Sequence, residues 1–559
     1  MQHMDRRTLM RRSAAVAGGA ALTGLAGQAH AADEPAPGES SPLERAGGAT
    51  IAPSDARYPG LTTGNNQRFV ARPEYVKMIK SSGDAVRALS DAIKAGKRVS
   101  VRSGGHCFAD FVCHPDAKVI LDFSEMTAVG YDPSLRAFSV EPGARLLNVY
   151  EALYKGWGVT IPGGTCYSVG IGGHIAGGGY GLLSRRNGLV VDHLYAVEVV
   201  VASASGEVKV VRATREAGDP NRDLWWAHAG GGGGNFGLVT RYWFRSPGAT
   251  GSTPGNQLIQ PPSTVLVSAV GIPWSQLDQQ GFTRLVKNYG AWFEANSAAD
   301  NKNRHLSSIM NISSQANGVI GLFTQVDATV PGASQLLDEY LAAITAGVGA
   351  TVKALDKPNG ELPALPQLAA ARQLPWLQAT RLIATSNSTL NDPAVRGAHK
   401  SAYLRKNFTD TQVAALYAAL TDPNYKNART MAILFSYGGQ VNAVAPDATA
   451  YAQRSSAFKL LFQTFWNDPA QDDTHLGWIR GMYGKFFAET GGVPGLNGQS
   501  DGCYINYPDS DMADPKINTS GVPWHALYYK DNYARLQQVK KRWDPADVFR
   551  HSLSVAPAK

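Results

Sequence analysis

The sequence has few of the motifs that mark the common enzyme and transport classes. It contains no P-loop ending in Gly-Lys-Ser or Gly-Lys-Thr, which disfavours nucleotide hydrolysis. Its histidines lack the i, i+4 pairing of the H-E-x-x-H zinc enzymes, so we expect no metal. No stretch approaches the roughly 18 consecutive apolar residues of a transmembrane helix, so we expect no membrane association.

Concentrated charge and paired cysteines are also scarce. The formal net charge is +8, but four arginines and one aspartate lie in the first 31 residues, which leaves 49 minus 44, or +5, for the rest of the chain. This remainder forms no basic block, so we expect no nucleic-acid partner. Only four cysteines are present. Cys107 and Cys113 could close a short disulfide loop, whereas Cys503 is compatible with a small buried residue.

The first 31 residues have the pattern of an export signal. Arg6 and Arg7 precede an apolar run, and Ala29-His30-Ala31 matches a small-residue cleavage site. We predict a twin-arginine signal peptide over residues 1–31, with an ordinary Sec signal as the alternative, and hence an exported, extracellular protein. Residues 32–60 are rich in proline, glycine, serine and alanine without periodicity, which predicts a flexible leader.

The length of 559 residues exceeds what one hydrophobic core normally holds, so two folding units are expected. Helix and strand patterns interleave over residues 61–254 and predict an α+β domain. Alternating strands and longer amphipathic helices over residues 255–515 predict a second domain. Residues 516–559 carry a helical pattern from Tyr533 to Trp543 and form a C-terminal segment.

Glycine is the residue in excess, with 59 in the chain. Nine of the nineteen residues from Gly163 to Gly181 are glycine, and each costs about 0.5–1 kcal/mol inside a helix or strand. We therefore predict that this run is neither helix nor strand and that its backbone approaches a flat or charged group. Gly232, Gly234 and Gly237 match G-x-G-x-x-G, but a predicted helix precedes them and a predicted strand follows, the reverse of a Rossmann site.

Two turns of the same kind carry a nucleophile each. The segment 102–106, Arg-Ser-Gly-Gly-His, ends in His106, and the segment 163–166, Gly-Gly-Thr-Cys, ends in Cys166 sixty residues later. This pair resembles the attachment turns of the berberine-bridge-enzyme-like branch of the vanillyl-alcohol-oxidase flavoproteins. The resemblance extends over residues 66–552. It implies an α+β, two-domain fold in which the first domain and the C-terminal segment hold FAD, while a separate antiparallel-sheet domain binds substrate.

The resemblance also implies how the flavin is held. His106 corresponds to the residue bonded to the 8α carbon of FAD, and Cys166 to the residue bonded to C6. Val169 matches a position that controls oxygen access, where a small valine indicates an oxidase. The other implied FAD contacts are Arg102, Ser103, Gly104, Gly105, Gly163, Gly164, Thr165, Gly170, Gly172, Gly173, His174, Gly177, Gly178, Gly179, Gly181, Asn235, Phe236, Gly237, Tyr504, Asn506, Asn532 and Tyr533.

The catalytic groups are expected near Tyr504-Ile505-Asn506-Tyr507, which matches the Y-x-N-Y motif of the same family. In a strand, Tyr504 and Tyr507 would face opposite sides, so only one could point at the flavin. The resemblance implies that Tyr507 is the base, Tyr437 its partner across the site, and Gln440 a substrate-orienting residue. Because a phenol has a pKa of about 10, a base working near neutral pH needs a nearby cation or second phenol.

Together these features predict an oxidase that converts a hydroxyl of a secondary metabolite or sugar to a carbonyl. Hydride would pass to flavin N5, and dioxygen would become hydrogen peroxide. The alternatives are an oligosaccharide oxidase, an oxidative ring-closing enzyme, and a secreted binding protein that has kept the fold without catalysis. We expect a small-molecule substrate and dioxygen as partners, and a monomer or homodimer.

Overall fold

A four-stranded sheet opens the described part of the chain, which in this computed structural model comprises residues 47–360, 362–384, 389 and 392–559. The strand order is β1-β2-β4-β3, with the β1–β2 pair antiparallel and the other two pairs parallel. The strands are β1 (Thr50–Ile51), β2 (Tyr75–Met78), β3 (Val99–Arg102) and β4 (Val119–Asp122).

The first strand corrects part of the leader prediction. The predicted signal peptide and residues 32–46 of the leader lie outside the described residues. Thr50 and Ile51 pair with β2, and Ile51 is buried in an apolar cluster with Val76 and Ile120. The prediction of a flexible leader is therefore wrong from Thr50 onward, because one buried isoleucine and two ladder residues anchor the chain to the sheet.

A five-stranded antiparallel sheet follows, with strand order β5-β6-β9-β7-β8. Its long central strand β7 has the sequence LYAVEVVVA, a nearly continuous apolar run typical of a strand covered on both faces. Strands β7 and β8 pair as an antiparallel hairpin. The strands are β5 (Val129–Asp132), β6 (Ala137–Val140), β7 (Leu194–Ala202), β8 (Val208–Thr214) and β9 (Leu238–Phe244).

An eight-stranded sheet forms the second half of the molecule. Seven strands follow the order β13-β10-β12-β11-β16-β17-β15, and β14 pairs with β10. Every pairing is antiparallel, which confirms the expected antiparallel sheet. The strands are β10 (Thr264–Pro273), β11 (Leu306–Ser313), β12 (Val319–Asp327), β13 (Lys353–Ala354), β14 (Arg372–Pro375), β15 (Arg396–Leu404), β16 (Thr430–Ser436) and β17 (Phe458–Trp466).

Helices connect and cover the sheets, and several have capped starts. Helix α2 begins after Ser81, whose hydroxyl accepts the Asp84 amide, and α10 begins with a capping box between Thr409 and Gln412. The helices are α1 (Tyr58–Leu61), α2 (Ser82–Lys94), α3 (Leu146–Trp157), α4 (Ile171–Ala176), α5 (Ser184–Asn187), α6 (Arg222–His228), α7 (Gln279–Ala295), α8 (Ala333–Thr345), α9 (Trp376–Ala384), α10 (Asp410–Leu420), α11 (Asp472–Phe486), α12 (Trp524–Tyr529) and α13 (Asn532–Trp543). Within the described ranges, no helix combines the length and apolar character needed to cross a membrane.

Helix α4 corrects the prediction that the glycine-rich run is entirely irregular. Its six residues include two glycines, but Ile171, Ile175 and Ala176 are buried. Burial of these apolar side chains offsets the cost of the glycines. The second glycine run, residues 230–237, contains the G-x-G-x-x-G match. Helix α6 precedes this run and β9 follows it, the opposite of a Rossmann arrangement, which confirms that the match is not a Rossmann site.

One hydrophobic core joins the two larger sheets. Buried residues of β7 and of β10, β12 and β17 belong to the same cluster. The strands of the four-stranded and five-stranded sheets lie within residues 50–244, and those of the eight-stranded sheet lie within residues 264–466. Since residues 47–559 pack as one unit, the domain boundaries at 254/255 and 515/516 stay predictions.

Candidate active site

A cavity lies where the glycine-rich turns meet the eight-stranded sheet. The sheet contributes Ile309, Phe435 and Lys459 to its wall, from β11, β16 and β17. The predicted site residues that line the cavity are Arg102, Ser103, Gly104, Gly105, His106, Gly164, Thr165, Cys166, Val169, Gly170, Gly172, Gly173, His174, Gly181, Gly237, Tyr504, Asn506 and Tyr507.

The first predicted turn is in direct backbone contact with Gly170, four residues after the second turn ends at Cys166. A Cβ added to Gly104 would lie 2.3 Å from the backbone nitrogen of Gly170, and one added to Gly170 would lie 2.2 Å from Oγ of Ser103. Both distances are too short for a real Cβ contact, so Gly104 and Gly170 cannot be replaced without a shift of the backbone. Ser103 also donates a hydrogen bond to the carbonyl of Pro142 at 2.6 Å, which fixes the first turn. The first turn and the glycine-rich segment after Cys166 therefore form one continuous wall of the cavity.

The side chains of His106 and Cys166 meet on one hydroxyl. Nε2 of His106 is 2.9 Å from Oγ of Ser168, and Sγ of Cys166 is 3.8 Å from the same oxygen. We call His106, Cys166 and Ser168 the attachment site. Residues separated by sixty positions in the sequence are thus brought side by side at one cavity wall.

The histidines of this wall are held neutral. Burial, with smaller contributions from Arg145 and Arg102, lowers the pKa of His106 to about 4. Burial and the charge of Lys459 lower the pKa of His174 to about 4. Nε2 of His174 accepts the backbone N–H of Gly164 at 3.1 Å, so this imidazole supports the turn that leads to Cys166.

Four aromatic rings surround one buried amine on the sheet side. Nζ of Lys459 lies 4.0 Å from the ring centroid of Tyr180, 4.9 Å from Phe435, 4.5 Å from Tyr504 and 4.7 Å from Tyr507. These are cation–π distances. We call this group the aromatic cage. It joins three parts of the chain: the glycine-rich run, the eight-stranded sheet and the Y-x-N-Y segment.

The Y-x-N-Y segment is a turn rather than a strand, which corrects the expectation that its tyrosines face opposite sides. The Tyr507 amide donates to the carbonyl of Tyr504 at 2.9 Å. Both rings line the cavity, with centroids 4.9 Å apart. Burial raises the pKa of Tyr504 to about 12, and its hydroxyl accepts a hydrogen bond from Nδ2 of Asn506. Tyr507 is half-buried, whereas Tyr504 is buried.

Tyr437 and Gln440 lie outside the cavity lining. Tyr437 is fully buried and does not line the cavity; its hydroxyl bonds to Tyr451 at 2.8 Å and to the Gln453 carbonyl at 3.2 Å. Gln440 also lies off the cavity, and its amide donates to the carbonyl of Ala299 at 3.3 Å. The ring of Tyr437 packs against Tyr180, with centroids 5.4 Å apart, and its role as the partner of Tyr507 stays a prediction.

Eight predicted cofactor contacts lie outside the cavity lining and serve the structure around it. Nδ2 of Asn532 donates to the carbonyl of Pro446 at 2.8 Å, and the Tyr533 hydroxyl accepts the Ala556 amide at 3.3 Å. Oδ1 of Asn235 accepts the Val555 amide at 2.9 Å, which ties the C-terminal segment to the second glycine run. The full set is Gly163, Gly177, Gly178, Gly179, Asn235, Phe236, Asn532 and Tyr533.

Sequence reasoning missed Lys459, Tyr180 and Ser168. Lys459 had a visible signal, since it is the single charged residue of the apolar strand β17, FKLLFQTFW. A lysine at a buried strand position requires a reason, because lysine is almost never fully buried without a partner. Tyr180 and Ser168 lie in the glycine-rich run from Gly163 to Gly181 and carry no comparable signal.

The cavity residues fit an FAD molecule. The wall formed by the two turns has glycines where any Cβ would close the space, and their backbone amides are the donors that phosphate oxygens use. The aromatic side chains of the cavity suit a flat ring. In the described ranges no cluster of histidine, cysteine and acidic residues could hold a metal ion, and neither Cys107 nor Cys113 is in a disulfide.

Comparison with known proteins agrees with this site. The model of the FAD binding domain family matches residues 73–212, and the berberine and berberine-like model matches residues 503–556. The chain is 47% identical to aclacinomycin-N/aclacinomycin-A oxidase of Streptomyces galilaeus, with 100% of this chain and 99% of the relative covered. It is 32% identical to hexose oxidase of Chondrus crispus, with 90% and 93% covered.

Solved structures give the same result. The glycopeptide hexose oxidase DBV29, in complex with teicoplanin, superposes with a TM-score of 0.85 at 46% identity, over 92% of this chain and 99% of that one. The match therefore extends through both the FAD-binding residues and the antiparallel sheet. The chain belongs to the berberine-bridge-enzyme-like family of FAD-dependent oxidases and has the vanillyl-alcohol-oxidase fold.

Proposed function

We propose that this oxidase converts a hydroxyl group of a glycosylated secondary metabolite or sugar to a carbonyl, with its FAD bonded to both His106 and Cys166. The observation that carries the proposal is the convergence of these two side chains on Ser168 in the cavity whose other side holds Tyr507 and Lys459. A binding protein would have no need for two nucleophiles and a phenol beside a buried cation in one cavity.

The attachment residues have suitable chemistry. Since the pKa of His106 is about 4, its imidazole is neutral near pH 7 and keeps a lone pair for bonding to carbon. A cysteine is the other side chain able to bond to an electron-poor ring. The tether to both side chains would fix the ring against the wall formed by the two turns.

Tyr507 is the proposed base. A phenol with a pKa of about 10 must shift by about 3 units to work at neutral pH, equal to about 4 kcal/mol. Two unit charges about 4 Å apart interact by about 4 kcal/mol at an effective dielectric constant of about 20, and Lys459 lies at a comparable distance from the ring. A cation this close to the ring favours a phenolate, which supports Tyr507 as the group that takes the proton of the substrate hydroxyl.

The chemistry that FAD supplies when bound is acceptance of the hydride and delivery of its electrons to dioxygen, which yields hydrogen peroxide. The protein's part is to hold the carbinol carbon and the hydroxyl in line. Val169 lines the cavity three residues after Cys166, and we propose that its small side chain leaves room for dioxygen.

The substrate class follows from the relatives. One is an aclacinomycin oxidase, another a hexose oxidase, and a third is a glycopeptide hexose oxidase solved with teicoplanin. Two of these names specify a hexose, so a sugar hydroxyl is the substrate group we propose. Apolar residues of the cavity such as Phe108, Phe111 and Phe435 would contact an aromatic aglycone.

The test has two parts. The protein from a flavin-competent host is precipitated in acid and its intact mass is measured; we expect a yellow precipitate and a mass increased by one FAD. Peroxide release is then measured on free hexoses, oligosaccharides and glycosylated polyketides. A colourless precipitate with the unmodified mass would contradict covalent attachment, and peroxide release only on non-sugar substrates would contradict the substrate class. Ring-closed products without a new carbonyl would favour the oxidative cyclisation alternative.

We also propose export of the folded protein by the twin-arginine route. The paired Arg6 and Arg7 support this, because a protein that binds its cofactor before export needs a route for folded chains. Replacing both arginines by lysine should abolish flavin-loaded protein in the medium. Unchanged export of the double variant would indicate the Sec alternative.

A further inference from the structure

Ser168 lies between the two side chains that are proposed to bond to the flavin. We propose that its hydroxyl is a positioning residue for both bonds, an inference that rests on the covalent attachment proposed above. The same oxygen is 2.9 Å from Nε2 of His106 and 3.8 Å from Sγ of Cys166. A single hydroxyl thus touches both nucleophiles.

The backbone on either side of Ser168 is fixed by helix α3. The Leu146 amide donates to the carbonyl of Val169 at 3.0 Å, and the Leu147 amide donates to the carbonyl of Tyr167 at 3.4 Å. Amides in the first turn of a helix have no partner within the helix and need outside acceptors. These two bonds clamp the carbonyls of both neighbours of Ser168, so its side chain starts from a fixed backbone position.

A hydroxyl is suited to this role because it both donates and accepts. A neutral imidazole carries its proton on one of two nitrogens, and the partner of one nitrogen decides the tautomer and the ring orientation. With Nε2 of His106 engaged by Ser168, Nδ1 is the ring nitrogen left for the bond to carbon. The remaining donor or acceptor capacity of the hydroxyl faces Sγ of Cys166, a weak hydrogen-bonding atom.

Each of the two bonds replaces one hydrogen on the side chain and one hydrogen on the flavin. The imidazole loses its N–H proton and Nδ1 bonds to the 8α carbon, which loses one hydrogen; the thiol loses its S–H proton and Sγ bonds to C6, which loses one hydrogen. Each bond leaves two electrons and two protons on the ring, and dioxygen removes them as hydrogen peroxide. Ser168 takes no part in this balance. It holds His106 and Cys166 at the orientation in which each bond forms.

The test compares the rate of attachment in Ser168 variants. A side-chain hydrogen bond contributes about 0.5–1.5 kcal/mol, so its loss should slow each attachment about 2- to 10-fold. Ser168→Thr and Ser168→Val form a matched pair of nearly equal shape that differ in the hydroxyl, and Ser168→Ala is the simple deletion. We expect Thr to attach flavin at a rate within about 2-fold of the wild type, and Val and Ala to be slow.

The readout is peptide mass mapping of protein sampled at intervals after induction. It counts the fraction of His106 peptide and of Cys166 peptide that carries flavin, independently of turnover. Adding Ser168→Ala to Cys166→Ala isolates the histidine bond, and adding it to His106→Ala isolates the cysteine bond. The matched control is Ser246→Ala, which removes a hydroxyl 2.9 Å from Nδ1 of His193 at a serine–histidine pair off the cavity. It should attach flavin at the wild-type rate.

The outcomes separate this proposal from the proposed function. Wild-type protein without covalent flavin overturns both. Wild-type protein with both bonds, together with normal rates in the Ala and Val variants, overturns the role of Ser168 alone. A slow rate for one bond only overturns the shared role, and an equally slow Thr variant shows that shape rather than the hydroxyl matters, which also overturns it. Thermal unfolding of each variant checks that the fold is retained.

Discussion

The attachment site and the aromatic cage face the same cavity but are built in different ways. His106 lies in the first turn, and Cys166 and Ser168 lie in the glycine-rich run; the backbones of these two segments touch at Gly104 and Gly170, so the geometry of the attachment site is set by two short segments. The cage gathers rings and an amine from residues 180, 435, 459 and 504–507, and exists only when both halves of the chain are packed. We infer that the first region secures the cofactor and the second supplies proton chemistry, so they should fail in different ways.

The largest separation of the two functions is expected from Tyr507→Phe. Loss of the base should lower kcat about 10²- to 10⁴-fold, whereas the flavin should stay fully attached because no attachment residue is touched. Steady-state peroxide release and acid-precipitate colour measure the two effects. Tyr504→Phe is the control, and we expect it to keep more activity. Equal losses in both variants would remove the assignment of the base to Tyr507.

A second test concerns the charge inside the cage. Lys459→Met should lower kcat about 100-fold at pH 7, equal to about 2.7 kcal/mol, because the Tyr507 phenolate loses its cation. A cation lowers the pKa of a phenol, so its removal raises that pKa, and activity should recover as the pH rises. The pH profile of kcat/KM checks this. Lys459→Arg keeps the charge and should keep the wild-type profile; a Met variant with an unshifted profile would exclude the proposed effect.

The difference between the two regions also explains what the sequence could predict. The turns ending in His106 and Cys166 are contiguous motifs, and local reasoning found them. Helix α13 was predicted from the helical pattern of Tyr533 to Trp543, within one residue of its observed bounds. Lys459 was missed because the side of the cavity that a residue faces depends on the packing of β16 and β17 and on the turn at 504–507, which no local pattern encodes.

The third test breaks the attachment site one bond at a time. His106→Ala and Cys166→Ala should each keep flavin on the remaining bond and lose activity about 10-fold, since a less rigid ring costs alignment. The double variant should release its flavin into the supernatant on acid precipitation. Peptide mapping identifies the surviving bond. Retention of colour in the double variant would mean that another residue bonds to the flavin.

The smallest expected effect is on acid stability. It concerns His174, which supports the turn that ends in Cys166. Burial and the charge of Lys459 lower the pKa of His174 to about 4, from the ordinary histidine value of 6.5. Its contribution to stability is therefore complete above pH 6.5 and is lost as the pH falls from 6.5 to 4, by up to about 3 kcal/mol. Protonation at Nε2 would also break its hydrogen bond from Gly164.

His174→Gln replaces the titrating acceptor by one that does not titrate. We expect the wild-type apparent Tm to fall over this pH window and the variant to show a smaller fall, although its Tm at pH 7 is lower. Thermal unfolding of the flavin-loaded protein from pH 7 to pH 4, followed by flavin fluorescence, measures both slopes. Identical slopes would show that His174 is not a source of the acid sensitivity. In that case the neutral His228, His399 and His551, all with lowered pKa values, are the groups to replace next.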